Sequence, residues 1–324
     1  MTHPASSGEI VSAFAPATVA NLGPGFDVLG LAVSGMGDTV HARMIAPVSP
    51  TGAPQVTISR ITGTDQLPLE AEANTAGIAA LSTLRAAHMP AHIELELHKG
   101  LPLCSGLGSS AASAVAAAFA VNRLMGSPLR KPDLLPPCLD AEEAVAGRHA
   151  DNVAPALYGG LTLVRGVAPP DVIRLPIPDG LTLAIVTPQF SLSTRAARAA
   201  LPQTVPLSTL VTCTAQIASL VSACYSGDMS LLARSFVDPV VTEARAALIP
   251  GAPEAMTAAL NRGALGSSIS GAGPSVFAVC RSNRGAQTAG QAMQTAFEAA
   301  GLTASVQVTP AQCPGVTLIR PTTP

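Results

Sequence analysis

Residues 102–112 of this 324-residue chain read PLCSGLGSSAA. Pro102, Leu103, Cys104, Ser105, Gly106, Leu107, Gly108, Ser109, Ser110, Ala111 and Ala112 link an alternating apolar run to a long alanine-rich one. Residues of these types could hold a phosphate. Glycines admit an anion close to the backbone, and successive N–H groups form a concave donor nest. A following helix adds its unpaired first-turn N–H groups and the positive end of its dipole. Ser109 and Ser110 are candidates to cap that helix, or to turn a hydroxyl toward a phosphate oxygen or Mg²⁺. A tight packing turn accounts for the same residues, and spacing alone leaves both readings open. No lysine follows Gly108, so this is not the GxxxxGK[ST] loop, and any cation must come from elsewhere.

Three other segments carry polar residues in glycine-rich settings. APATVANLGPGFD (15–27) holds Asn21 and Asp27, residue types common in turns. GRHADNVAPALYGG (147–160) places His149, Asp151 and Asn152 just past a run containing Glu142 and Glu143. SISGAGPSVFAVC (268–280) sets Gly271 and Gly273 before an apolar run. Each alone is accounted for by an ordinary turn or a solvated helix end.

The elements that must position these residues follow from periodicity. Strands are expected at 9–14, 28–33, 39–45 and 55–61, with a loop over 15–27. A helix is expected at 73–88. The stretch IELEL within 92–98 alternates with period two, as a half-buried strand does. A helix to about 125 follows the glycine loop, then a Pro-rich connector, a helix near 138–147 and a strand at 159–165. GVAPPDVIRLPIPDG (166–180) reads as a domain junction. Beyond it come a buried strand from 181, helices at 208–226, 229–236 and 253–263, strand SVFAVC, a helix at 285–300 and a strand at 303–308. This is an alternating α/β second half.

Composition narrows the partners. A net charge of −2 with 12% charged residues offers no basic field for nucleic acid or anionic lipid. Six cysteines without a CxxC pair read as small core residues in a reducing compartment. The first residues lack a basic leader region, and the longest apolar run, near 111–121, is about half a membrane span. A soluble cytoplasmic protein is expected.

Together, and in this order, the four segments resemble the GHMP family of small-molecule kinases. PLCSGLGSSAA resembles that family's ATP-phosphate loop and SGAGPSVFA its C-terminal glycine motif. APATVANLGPGFDVLGLAV and HADNVAPALYGG resemble the branch of the family that phosphorylates L-homoserine. The resemblance runs from about residue 10 to 310. It implies an α+β, two-domain GHMP kinase fold, with an N-terminal domain like domain 2 of ribosomal protein S5 (1–165) and a ferredoxin-like C-terminal domain (166–324). ATP and substrate would lie between them. The implied reaction transfers the ATP γ-phosphoryl group to the hydroxyl of L-homoserine, giving O-phospho-L-homoserine in threonine biosynthesis. ATP and Mg²⁺ are the implied cofactors, and a homodimer is the expected assembly.

The resemblance also implies roles. Asn21 and Asp27 take the substrate ammonium, while Arg198 in STRAARAALP and Arg245 in VTEARAALIP take its carboxylate. A planar guanidinium grips a carboxylate bidentately, which lysine cannot do. His149 and Asn152 stand on the substrate side, with Asn152 orienting the hydroxyl, and Thr194 meets the incoming phosphoryl group. Ser110 and a helical glutamate hold Mg²⁺. The spacing from that glutamate to HADN is one residue shorter than the family pattern, so Glu142 is preferred and Glu143 stays open. Asn74 falls near the adenine, and Gly271 and Gly273 join the ATP site. An amide at 152 cannot act as a base, so the hydroxyl proton is expected to leave late. Two alternatives stand beside this reading. A family member acting on mevalonate or a sugar would place an acid at 152; a non-catalytic ligand sensor would have lost part of the loop or the glutamate.

Overall fold

The computed structural model describes residues 9–47 and 52–319. Residues 1–8, the start of the stretch read as lacking a basic leader, lie outside the described residues. A first sheet collects β1 (Ile10–Ala20), β2 (Leu29–Pro47), β3 (Gln55–Thr62), β4 (Ala91–His98), β5 (Leu161–Val167) and β6 (Pro170–Leu175). A second collects β7 (Thr182–Pro188), β8 (Gly266–Ile269), β9 (Val276–Cys280) and β10 (Ala304–Pro310), and β11 (Thr317–Ile319) returns to pair with β1. Helices α1 (Thr75–Ala86), α2 (Ser109–Leu124), α3 (Leu135–Val145) and α4 (Val153–Tyr158) accompany the first sheet. Helices α5 (Thr194–Ala199), α6 (Leu207–Ser226), α7 (Met229–Arg234), α8 (Val241–Ala246), α9 (Ala252–Asn261) and α10 (Asn283–Ala299) lie in the second half.

The second sheet runs β10-β7-β9-β8, antiparallel throughout. That is the strand order of a β-α-β-β-α-β ferredoxin-like unit. In the first sheet, β1, β2 and β4 pair antiparallel and β3 pairs parallel to β4 across α1. β4 buries Ala91, Ile93, Leu95 and Leu97 in strict alternation, as its sequence predicts. Cutting the chain after 165 would split the β5–β6 hairpin. We therefore propose that the first unit continues through Leu175 and regains 317–319.

Local chemistry explains where the elements depart from expectation. β1 continues to Ala20 rather than ending at 14, because a bulge at Pro16/Ala17 absorbs the proline. The two short strands expected at 28–33 and 39–45 form one, β2. α3 begins at Leu135 and carries Pro136 and Pro137 in its first turn, where a proline forfeits no helical hydrogen bond. Cys104 is exposed rather than a core residue. Among the described residues, α6 is the one helix long and apolar enough to cross a membrane, a stretch the reading of 111–121 overlooks. Its C-terminal half packs inward through Leu220, Ala223 and Cys224.

Helix α2 is nearly surrounded, touching α1, α3, β1 and β2. Its alanines let those neighbours approach on all sides. Its N-terminus is held from beneath by a buried ion pair. Lys99 directly follows β4, and its ammonium meets Asp38 of β2, the Ser113 hydroxyl at 2.8 Å and the Ser109 carbonyl at 2.9 Å. Asp38 also accepts from the Gly100 and Leu101 N–H groups and from the Ser113 hydroxyl. Burial pulls the Lys99 pKa down, against the raising effect of Asp38. Removing one partner strands the other charge in the core. Lys99→Met should cost about 3–5 kcal/mol in urea unfolding, and a loss under about 1 kcal/mol would refute the role given to this pair.

Candidate active site

The glycine loop is braced by the second domain. Gly106 (φ +77°) packs so tightly that a Cβ there would lie 2.4 Å from the Ser270 carbonyl oxygen and 2.7 Å from that of Gly273. The Ser275 hydroxyl donates to the Ser105 carbonyl at 2.6 Å, and the Ser270 hydroxyl to that of Gly106 at 2.7 Å. Loop carbonyls thus face the protein. Gly271 and Gly273 shape this brace, and the Gly271 N–H donates to the Ala20 carbonyl.

Neither serine caps α2. Its N-cap is Gly108, left-handed at φ +66° with no side-chain cap. The first-turn N–H groups are therefore left without a side-chain acceptor, which suits an anion. The Ser110 hydroxyl instead hydrogen-bonds the Glu142 carboxyl, and burial pushes Glu142 up to about 7 despite Ser110 and Lys99. Glu142 is 5% exposed. Its Oε1 and the Ser109 Oγ are buried with no partner. Orphaned oxygens beside a helix N-terminus fit a hard divalent cation. Glu143 is exposed and paired with Arg148 at 2.8 Å, which leaves Glu142 as the glutamate of the two with a buried, unpartnered oxygen.

A cluster of charges gathers around Asp27. Asp27 accepts two hydrogen bonds from Arg198, at 2.8 and 3.0 Å. Arg198 also lies 3.0 Å from His149 Nε2, while His149 Nδ1 faces Asp27 at 3.5 Å. Half-burial lowers the His149 pKa, with Asp27 opposing and both arginines adding to the fall. Phe26 lies beneath both guanidinium groups, 4.9 Å from Arg198 and 5.2 Å from Arg245. Arg245 is 3% exposed and donates to the Gly271 carbonyl at 2.7 Å. Asn21, left-handed at φ 70°, shapes the loop presenting Asp27: its Oδ1 accepts from the Asp27 N–H and its Nδ2 donates to the Gly271 carbonyl. Thr194 is exposed in the first turn of α5, one turn before Arg198 and on its face.

Asn152 precedes α4, and its Oδ1 accepts from the Thr18 hydroxyl at 2.7 Å. Asn74 stands apart from this group. Its Oδ1 caps α1 and its Nδ2 donates to the Pro68 carbonyl, so both ends of the amide are engaged in local structure.

Sequence reading missed Lys99, Asp38, Thr18 and Phe26. Lys99 is one of two lysines in the chain and stands three residues before the glycine loop, a signal that was available. Asp38 and Thr18 carry no local mark, because strand pairing alone brings them in.

Comparison with known proteins identifies the family. The models for the GHMP kinases N-terminal domain and the GHMP kinases C-terminal domain match residues 74–160 and 220–299. The chain belongs to the GHMP kinase family and has its two-domain fold. It is 43% identical over 309 residues to the homoserine kinase of Xylella fastidiosa strain 9a5c, covering 95% of this chain and 93% of that one. It is likewise 43% identical over 295 residues to the homoserine kinase of Chlorobium phaeovibrioides, covering 89% and 92%. The crystal structure of homoserine kinase from Cytophaga hutchinsonii superposes with a TM-score of 0.91 at 44% identity, covering 97% and 98%.

Two predictions follow from the loop and its buried acids. Gly106→Ala forces a Cβ onto backbone oxygens at a positive φ. It should cost about 1–3 kcal/mol and abolish nucleotide binding by calorimetry. Asp151 is 4% exposed, and burial, with Asp27 adding, raises its pKa to about 7. Folded protein then holds a proton that unfolded chain releases near pH 4, so stability falls as pH rises from about 4 to 7. Asp151→Asn should melt higher than the native protein at pH 8, with the gap closing toward pH 4. A pH-independent gap would contradict the raised pKa.

Proposed function

We infer that this chain phosphorylates the hydroxyl of L-homoserine with ATP, yielding O-phospho-L-homoserine and ADP, as a step of threonine biosynthesis in the cytoplasm. One observation carries the substrate side. A carboxylate and two arginines converge at Phe26. A zwitterionic amino acid offers the matching charges: its ammonium for Asp27, its carboxylate for Arg198 and Arg245. The homoserine kinases 42–44% identical over most of the chain support the same substrate. Mevalonate or a sugar has no ammonium to match Asp27.

In this reading the first-turn N–H groups of α2 and the nest at 105–108 hold the ATP phosphates. Ser110 and Glu142 would hold Mg²⁺, which neutralises phosphate charge as the γ-phosphoryl group moves. Phosphoryl transfer demands alignment and charge stabilisation more than a strong base. The substrate hydroxyl oxygen bonds to the γ-phosphorus while the bond to the ADP oxygen breaks. With an amide at 152, the hydroxyl proton leaves late, to the transferred phosphoryl group or to solvent. The intact loop and the buried Glu142 speak against a non-catalytic sensor.

We also propose that the protein is a homodimer, with the outward face of α6 in the contact. Leu207, Val211, Thr214, Ala218 and Tyr225 follow one another along it at helical spacing. No charged residue occurs in 207–226, so two copies can meet there without burying an unpaired ion. A monomer by light scattering at micromolar concentration would reject this.

Purified protein with Mg-ATP should release ADP with L-homoserine and not with mevalonate or galactose; no turnover with homoserine sinks the main reading. Arg198→Ala and Arg245→Ala should each raise the homoserine KM by roughly 10–100-fold, as expected for losing a charge-assisted hydrogen bond. Unchanged kinetics would remove them from the site.

A further inference from the structure

Thr18 lies on β1, fully buried, between the glycine loop and the HADN segment. Its N–H donates to the Leu107 carbonyl at 3.1 Å, and its hydroxyl donates to Asn152 Oδ1 at 2.7 Å. The contact runs against the N-cap of α2. A Cβ on Gly108 would sit 2.0 Å from Thr18 Oγ1 and 2.8 Å from Asn152 Oδ1. The Asn152 side chain does not cap its own helix α4. The side-chain hydrogen bond that orients the Asn152 amide is therefore the one from Thr18.

We propose that Thr18 is a positioning residue that fixes the Asn152 amide with its carbonyl inward, so that Asn152 presents N–H donors to the reacting oxygens. The direction of the hydrogen bond decides this. Among the described residues, Asn152 Oδ1 is the acceptor the structure gives the Thr18 hydroxyl. With the amide turned over, that buried hydroxyl hydrogen would lose its acceptor, at a cost of about 1–3 kcal/mol. An inward carbonyl leaves the NH₂ group for the cleft. There it lies beside the N-terminus of α2, where the γ-phosphoryl group would stand, and a fixed donor stabilises charge that develops on transfer. Asn152 then acts by donation alone, and Thr18 determines that it can do nothing else. Gly108 belongs to the same device, because any side chain there would drive into the Thr18–Asn152 contact.

This inference rests on the kinase reading above, so variants are assayed with the acceptor that the unmodified enzyme turns over; failure of that enzyme on homoserine would count against the reading and not against Thr18. Thr18→Val keeps the β-branched shape and removes the hydroxyl. It should lower kcat roughly 10–100-fold, the scale of a misplaced catalytic group, with the acceptor KM within about threefold, whereas Thr18→Ser should retain most activity. In an Asn152→Ala background, Thr18→Val should change kcat no further. Asn152→Asp offers Thr18 an acceptor but has no N–H, and should be as impaired as Asn152→Ala. Full activity in Thr18→Val, additive losses in the double variant, or an active Asn152→Asp would each overturn the proposal. The Asn152→Asp result stands even if Thr18→Val does not fold.

Discussion

The ion pair between Asp38 and Lys99 is the interaction on which the rest of the site depends. It joins two strands of the first sheet to the first turn of α2, and it lies out of water beneath the glycine loop. A helix N-terminus that presents bare N–H groups to a ligand cannot also be capped by its own side chains. Here Gly108 leaves that end open above, and the Lys99 ammonium grips the Ser109 carbonyl from below. The loop is held from a third side by Ser270 and Ser275 of the second domain, whose hydroxyls take its carbonyls. Donors are left for the ligand because the acceptors are engaged elsewhere.

The substrate side follows the opposite logic. Asp27 and Arg198 neutralise one another across the cleft, with His149 bridging and Phe26 as a common floor. In the proposed reading, a ligand that carries both an ammonium and a carboxylate would exchange one internal pair for two external ones and add little net charge to the site. A ligand with only one of those groups leaves either the acid or the arginines without a partner. In the proposed reading, discrimination would come from charges left without a partner, most of all that of the buried Arg245.

Much of this was legible in the sequence, for identifiable reasons. The alternation of IELEL gives β4 its inward face, and the small residues of 102–112 mark a place where backbone is approached closely. Glu142, Arg198, Arg245, His149 and Asp27 become candidates through the resemblance to the family, because each taken alone reads equally well as an ordinary turn or a solvated helix end. What could not be read depends on register. Asp38 meets Lys99 because β2 pairs with β4, and Thr18 meets Asn152 because the HADN segment returns beside β1. Asn21 and Asn74 show local engagements that residue type does not announce, since both amides help shape their own loops. Ser109 and Ser110 look like caps by position, yet a left-handed glycine already holds the cap site.

The strand β11 carries a different kind of consequence. Phe14 pairs with Thr317, and the segment leading to β11 is stitched to the end of α4 through Gly160 and Val316. One border of β1 therefore stays unpaired until the ribosome has added about 300 further residues. At 5–20 residues per second that wait is on the order of tens of seconds. Throughout it, a nascent strand edge is available to wrong partners. The sheet containing β1 is thus completed after the second sheet, although most of its strands are made before it, and protecting that edge falls to whatever attends the emerging chain.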